Sequence, residues 1–174
     1  MNDHWYMLTL VGRDRSGIVA RVSHALFEGG CQLGETSMIR LGGNFTIMMM
    51  VRFAGSTHAL EQLVAGEAES LSLRLHVDRI EGGLHEHVEP DVRITVYGAD
   101  RPGIVAQVTG ALAEAGLDIF DLISDVGGTE LAPIYILHIE GRALAGIPAL
   151  ASALEIVKGR GVDAQIAPIE LMVG

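Results

Sequence analysis

The run Asp14-Arg15-Ser16-Gly17-Ile18-Val19-Ala20 returns 86 residues later as Asp100-Arg101-Pro102-Gly103-Ile104-Val105-Ala106, identical at six of seven positions. Each copy stands where an apolar, strand-like run gives way to a helical pattern, so the glycine opens a helix. A helix start leaves several N–H groups unpaired and carries the positive end of the peptide dipole, and it therefore attracts a carboxylate. Glycine there removes the Cβ and lets a ligand come close to the backbone. Pro102 pre-sets φ for a first helical turn and gives up an N–H that would be unpaired anyway. The chemistry on offer is non-covalent capture of a small carboxylate. A second reading stays open at this point: Asp14 and Asp100 could accept the helix N–H bonds themselves, which makes the motif a plain capping turn.

Other chemistry-bearing residues carry less. His85 and His87, with Glu86 and Glu89, could clasp a metal, but no third ligand is fixed by secondary structure and a solvated segment explains them. His24, His76 and His138 stand singly on predicted faces. Cys31 has no cation fixed beside it to make a thiolate. As the single cysteine it excludes an intramolecular disulfide and fits a reducing compartment. The pairs Gly42-Gly43 and Gly127-Gly128 lack phosphate-loop spacing and are expected to be turns. With no paired nucleophile and base, no metal set and no cofactor fingerprint, the chain is expected to be non-enzymatic and to need no cofactor.

The elements that must position the repeated motif are themselves repeated. In the first half, Trp5 to Val11 is a strand, and Ile18, Val19, Val22, Ala25 and Leu26 recur at helical spacing until Gly29-Gly30. Strands follow over about residues 31–41 and 45–53, then a helix marked by Leu60, Leu63 and Val64 with Ser56 or Thr57 as its cap. Leu71, Leu73, Leu75 and Val77 alternate with polar residues as a half-buried strand does. In Met48-Met49-Met50, an inner sheet face is expected to hold Met48 and Met50, with Met49 pointing to a covered second face. The second half repeats the order: a strand over 92–98, a helix over 103–115, strands over 118–126 and 134–139, a helix over 147–158 and a strand over 162–171. About three extra residues fall near 130–133. Residues 81–90 show neither periodicity and read as a linker between a domain at 1–80 and a domain at 91–174. Each β-α-β-β-α-β unit predicts an α+β, ferredoxin-like antiparallel sheet with helices on one face.

Composition bounds what such a chain can do. Of 174 residues, 22 are acidic and 12 basic, a formal charge of −10 that repels phosphate backbones, so direct nucleic-acid binding is not expected. The apolar fraction is 49% and the mean hydropathy +0.35, which predicts an extra buried interface and hence a homo-oligomer. No apolar run approaches the ~18 residues of a membrane span, and a cytoplasmic location is expected.

The Asp-Arg-x-Gly-Ile-Val motif after a strand resembles the ACT domain, the small ligand-sensing module of amino-acid metabolism. With the tandem layout, the Gly116-Leu117-Asp118-Ile119 segment and the Phe45-Thr46-Ile47-Met48 strand, nearly the whole chain looks like the glycine cleavage system transcriptional repressor group. That resemblance implies regulation by a bound small, glycine-like amino acid. It also implies no catalysis, and control of transcription through a protein partner, a transcription regulator. It places the ligand on Asp14, Arg15, Ser16, Gly17 and Ile18, and on Asp100, Arg101, Pro102, Gly103 and Ile104, with Asp118 or Asp121 accepting from the amino group. The first copy carries Gln32 and Glu35 at the positions of those two aspartates, so the two sites need not be equivalent. An assembly module of the same fold that binds no ligand is the alternative.

Overall fold

The computed structural model describes residues 3–81, 88–99, 102–129, 132–159 and 161–169. The chain divides into two units, Met1–Glu86 and His87–Gly174. The first contains β1 (His4–Arg13), α1 (Ile18–Glu28), β2 (Gln32–Leu41), β3 (Asn44–Phe53), α2 (Thr57–Ser70) and β4 (Arg74–Ile80). The second contains β5 (Val92–Ala99), α3 (Ile104–Glu114), β6 (Leu117–Thr129), β7 (Ala132–Ala143), α4 (Ile147–Lys158) and β8 (Val162–Pro168). Each builds a four-stranded sheet, ordered β2-β3-β1-β4 and β6-β7-β5-β8, with every neighbouring pair antiparallel. This is the expected α+β, ferredoxin-like arrangement, twice. The predicted linker falls largely on residues 82–87, outside the described residues, and with it the His85 and His87 metal reading.

Alternation along the strands sends one side chain in two to the helices. In the first unit Tyr6, Leu8 and Leu10 of β1 and Phe45, Ile47, Met49 and Val51 of β3 meet Ile18, Val22 and Leu26 of α1 and Leu60 and Val64 of α2 in one core. In the second, Ile94, Val96, Leu137 and Ile139 meet Val108, Leu112, Leu150 and Leu154. The helical residues recur four apart, the stripe an amphipathic helix needs. Met49 is therefore the core-facing methionine, while Met48 is exposed on the opposite face, the reverse of the expectation. The cause is register: Met49 pairs with Leu8, whose side chain already points at the helices.

Two further boundaries differ from the pattern read off the sequence. Leu71 and Leu73 are buried, but as the end of α2 rather than as a strand. Leu73 N–H donates to the Ala68 carbonyl and Ser72 N–H to that of Glu69, the paired bonds that close a helix C-terminus. Ser72 takes the left-handed conformation this closure requires, at φ 56°. A side chain is disfavoured there by roughly 1–2 kcal/mol, while glycine gives back about 0.5–1 kcal/mol in backbone entropy. Ser72→Gly is thus expected to stabilise the first unit by up to about 1 kcal/mol, read as a rise in its urea midpoint.

The second difference is the Gly127-Gly128 pair, which is not a turn. Both residues lie inside β6, paired with Ile134 and Pro133, and the ladder runs on to Thr129 opposite Ala132. The extra residues lengthen a hairpin instead of widening a loop. Along it Ile123 and Val126 stay exposed, as Ile39 and Leu41 do on β2, so both edge strands present apolar side chains and open backbone groups.

Candidate functional site

The repeated loop sits at the end of each unit where β1 or β5 hands over to its helix. Asp14 N–H donates to the Gly43 carbonyl at 3.1 Å, which ties the loop to the β2–β3 hairpin turn. Gly17 then takes φ 87°, ψ 0° as the residue before α1, and Gly103 repeats it at φ 85°, ψ −1° before α3. Their carbonyls accept the first helical bonds, from Arg21 and Gln107 N–H, each at 3.0 Å. A left-handed φ is what makes glycine necessary here. Nothing lies within 4 Å of a Cβ built on Gly17, so lack of room is not the reason. Pro102 precedes the left-handed residue and belongs to the turn, not to the first helical turn as expected.

The capping reading fails at α1. Among the described residues no side chain caps this helix, and Asp14 instead pairs with Arg40 of β2, Nη2 to Oδ2 at 2.5 Å. The aspartate is drawn sideways to the hairpin, away from the helix N–H groups, which keep their anion-seeking character. Beside them lies an open hollow of about 430 Å³ lined by Asp14 to Ala20 and by Met38, Arg40 and Phe45. The structure thus gathers Asp14, Arg15, Ser16, Gly17 and Ile18 around one space, and adds three residues that the sequence reading missed. The hairpin register implied by a two-residue Gly42-Gly43 turn would have placed Arg40 opposite Phe45. The Asp14–Gly43 bond that swings this pair under the loop has no sequence signature.

In the second unit Asp100 and Arg101 lie outside the described residues. Pro102 and Gly103 are exposed at the turn and Ile104 is buried beneath it. Asp118 and Asp121 do not join them. Asp118 pairs with Arg142 and Asp121 with Glu140, level with the first residues of β5, whereas Gly103 follows its last residue. A strand rises about 3.3 Å per residue, which separates the aspartates from the helix start by roughly 20 Å. Within this unit they cannot hold one end of an amino acid whose other end rests on Gly103. The reason is topological: a strand that follows a helix begins at the helix's far end.

The two hairpins also differ at the hollow. Arg40 pairs with Phe45 and Met38 with Ile47; in the second unit the equivalent Tyr135 and Leu137 pair with Val126 and Ser124. An arginine and a methionine are thus replaced by a valine and a serine. Elsewhere, burial pushes the Cys31 thiol above its ordinary range, against the edge of the first core, as an inert cysteine requires. Among the described residues no three metal-ligating side chains converge, and no helix is long and apolar enough to cross a membrane.

Comparison with known proteins covers both halves. Family models of the ACT domain match residues 4–78 and 92–156. The chain is 26% identical over 158 residues to the glycine cleavage system transcriptional repressor of Escherichia coli K12, covering 89% of this chain and 81% of that one. A stretch of 78 residues is similar to a UPF0237 protein of Listeria monocytogenes at 35% identity, covering 43% of this chain and 88% of the relative. Among solved structures, an unknown protein from Galdieria sulphuraria superposes with a TM-score of 0.74 at 22% identity, covering 97% of this chain and all of that one. A candidate glycine cleavage system transcriptional repressor superposes at 0.72 and 16% identity over 98% of this chain and all of that one.

Proposed function

This chain belongs to the ACT-domain family through both of its halves and is related to a transcriptional repressor, and from that premise we propose that it is a sensor of a free amino acid. In this reading it carries no catalytic activity, works in the cytoplasm, and regulates amino-acid metabolism at the level of transcription by contacting a protein partner. The observation that carries the reading is the uncapped start of α1 beside an open hollow, with Asp14 held off the helix by Arg40. Exposed N–H groups at a positive dipole end suit an α-carboxylate. The second copy repeats the left-handed glycine at Gly103, between Pro102 and Ile104, and its motif begins in the sequence with Asp100 and Arg101. Glycine as ligand is suggested only by the name of the relative. The net charge of −10 favours action through a partner over direct contact with DNA. Coupling between ligand and partner is reciprocal: whatever factor the amino acid applies to partner affinity, the partner applies to the amino acid.

A panel of the free amino acids in thermal denaturation tests this reading. At least one is expected to raise Tm, with a stabilisation of about 2.7 kcal/mol at a concentration 100 times its Kd. A flat panel at millimolar concentration would favour the assembly module instead. The exposed apolar edges on β2 and β6 support self-association under either reading.

A further inference from the structure

We propose that the hollow of the first unit takes an α-amino acid with an apolar side chain, whose two charges replace those of the Asp14–Arg40 ion pair. The inference rests on the ligand-site reading above and adds to it a class of ligand and a residue, Arg40, that holds the ligand's acid end.

The ion pair spans the hollow from the loop to the hairpin, and its members are unequally exposed: 24% for the Asp14 side chain and 69% for that of Arg40. A pair this exposed contributes about 1 kcal/mol or less, so parting it is inexpensive. A zwitterion offers each partner the charge it would lose. The ligand ammonium meets the Asp14 carboxylate, and the ligand carboxylate meets the Arg40 guanidinium, whose planar fork matches it. That carboxylate then also lies toward the N–H groups that follow Gly17.

The remaining walls decide what the side chain must be. Ile18 and Phe45, both buried, form an apolar floor, while Val19 and Met38 stand 40% and 49% exposed beside it. A glycine would satisfy both charges and leave those walls wet. A side chain of several carbons would cover them, and Met38 can adapt its flexible thioether to it. The second unit lacks this combination, since Val126 and Ser124 stand where Arg40 and Met38 do. The specificity is therefore assigned to the first unit alone.

Isothermal titration calorimetry on the full chain provides the test, with L-methionine and glycine as probes. L-Methionine methyl ester and N-acetyl-L-methionine each lack one charge. Methionine is expected to bind about tenfold or more tighter than glycine, as two or so covered methylenes imply. Ester and N-acetyl forms are each expected to lose roughly tenfold or more, the scale of a charged hydrogen bond. Arg40→Gln, an exposed change, is expected to weaken methionine binding by the same factor, with Tm in the absence of ligand lowered by a few degrees at most. Met38→Ser, which copies the second unit, is expected to reduce the preference for methionine over glycine. Glycine binding as tightly as methionine, or methionine affinity untouched in Arg40→Gln, overturns the inference and leaves amino-acid sensing standing. Silence from every amino acid removes both.

Discussion

Leu8→Ala is expected to lower the stability of the first unit by about 2–5 kcal/mol. Leu8 is wholly buried on β1, which lies between β3 and β4, and pairs with Met49 on one side and Val77 on the other. The framework strands on both sides hold their neighbours in place, so the space left by the lost carbons closes only in part. Against the 5–15 kcal/mol by which domains are commonly stable, that is a large share. With urea slopes of about 1–3 kcal/mol per molar, the midpoint is expected to fall by roughly 1 M or more. Trp5, the only tryptophan, lies on the same strand, so its fluorescence reports this unit specifically. Met48→Ala, on the exposed face of β3, serves as the control and is expected to shift the midpoint little. Equal losses in the two variants would mean that the core had been assigned to the wrong face.

Gly141→Ala is expected to produce the corresponding loss in the second unit, about 3 kcal/mol from a single added methyl. A Cβ at Gly141 would collide with the Asp118 carbonyl, where β6 crosses β7 just before the ladder slips register between Ile119 and Asp121. Overpacking generally costs about 1–3 kcal/mol, and the upper end applies because the obstacle is backbone that cannot rotate away. For a unit of this size that amounts to roughly 12 °C or more in Tm, read by differential scanning calorimetry. An unchanged transition would show that β6 does not rest on Gly141. Gly66→Ala, in α2 with open space around its Cβ, is the natural comparison.

How far the chain could be read in advance depended on the range of the interactions. The duplication, the helix stripe Ile18-Val22-Leu26 and the Ser56 cap are local patterns, and they stand where expected. Ser56 does accept from Ala59 N–H, at 3.2 Å. Where a pattern had two local explanations, the fold chose between them. Leu71 and Leu73 alternate like a strand because a helix closure happens to bury both. Gly127-Gly128 resembles a turn but is carried within a longer ladder. The loop motif itself was legible, while its partner was not. Arg40 lies 26 residues beyond Asp14, and only the closure of the β2–β3 hairpin under the loop makes them neighbours. The placing of Asp118 and Asp121 beside Gly103 failed for the converse reason: closeness in sequence to the same helix puts them at its opposite end.

The long β6 strand carries a liability, and the same two aspartates bear on it. Its outer rim combines unpaired backbone groups with Phe120, Leu122, Ile123 and Val126, a combination that invites indiscriminate stacking of one ribbon on the next. Asp118, Asp121 and Asp125 interrupt that rim at intervals of three and four residues. In identical ribbons laid in register, each would face its own copy, and the mutual repulsion acts as a gatekeeper against fibrous growth while a partner edge of different charge remains welcome.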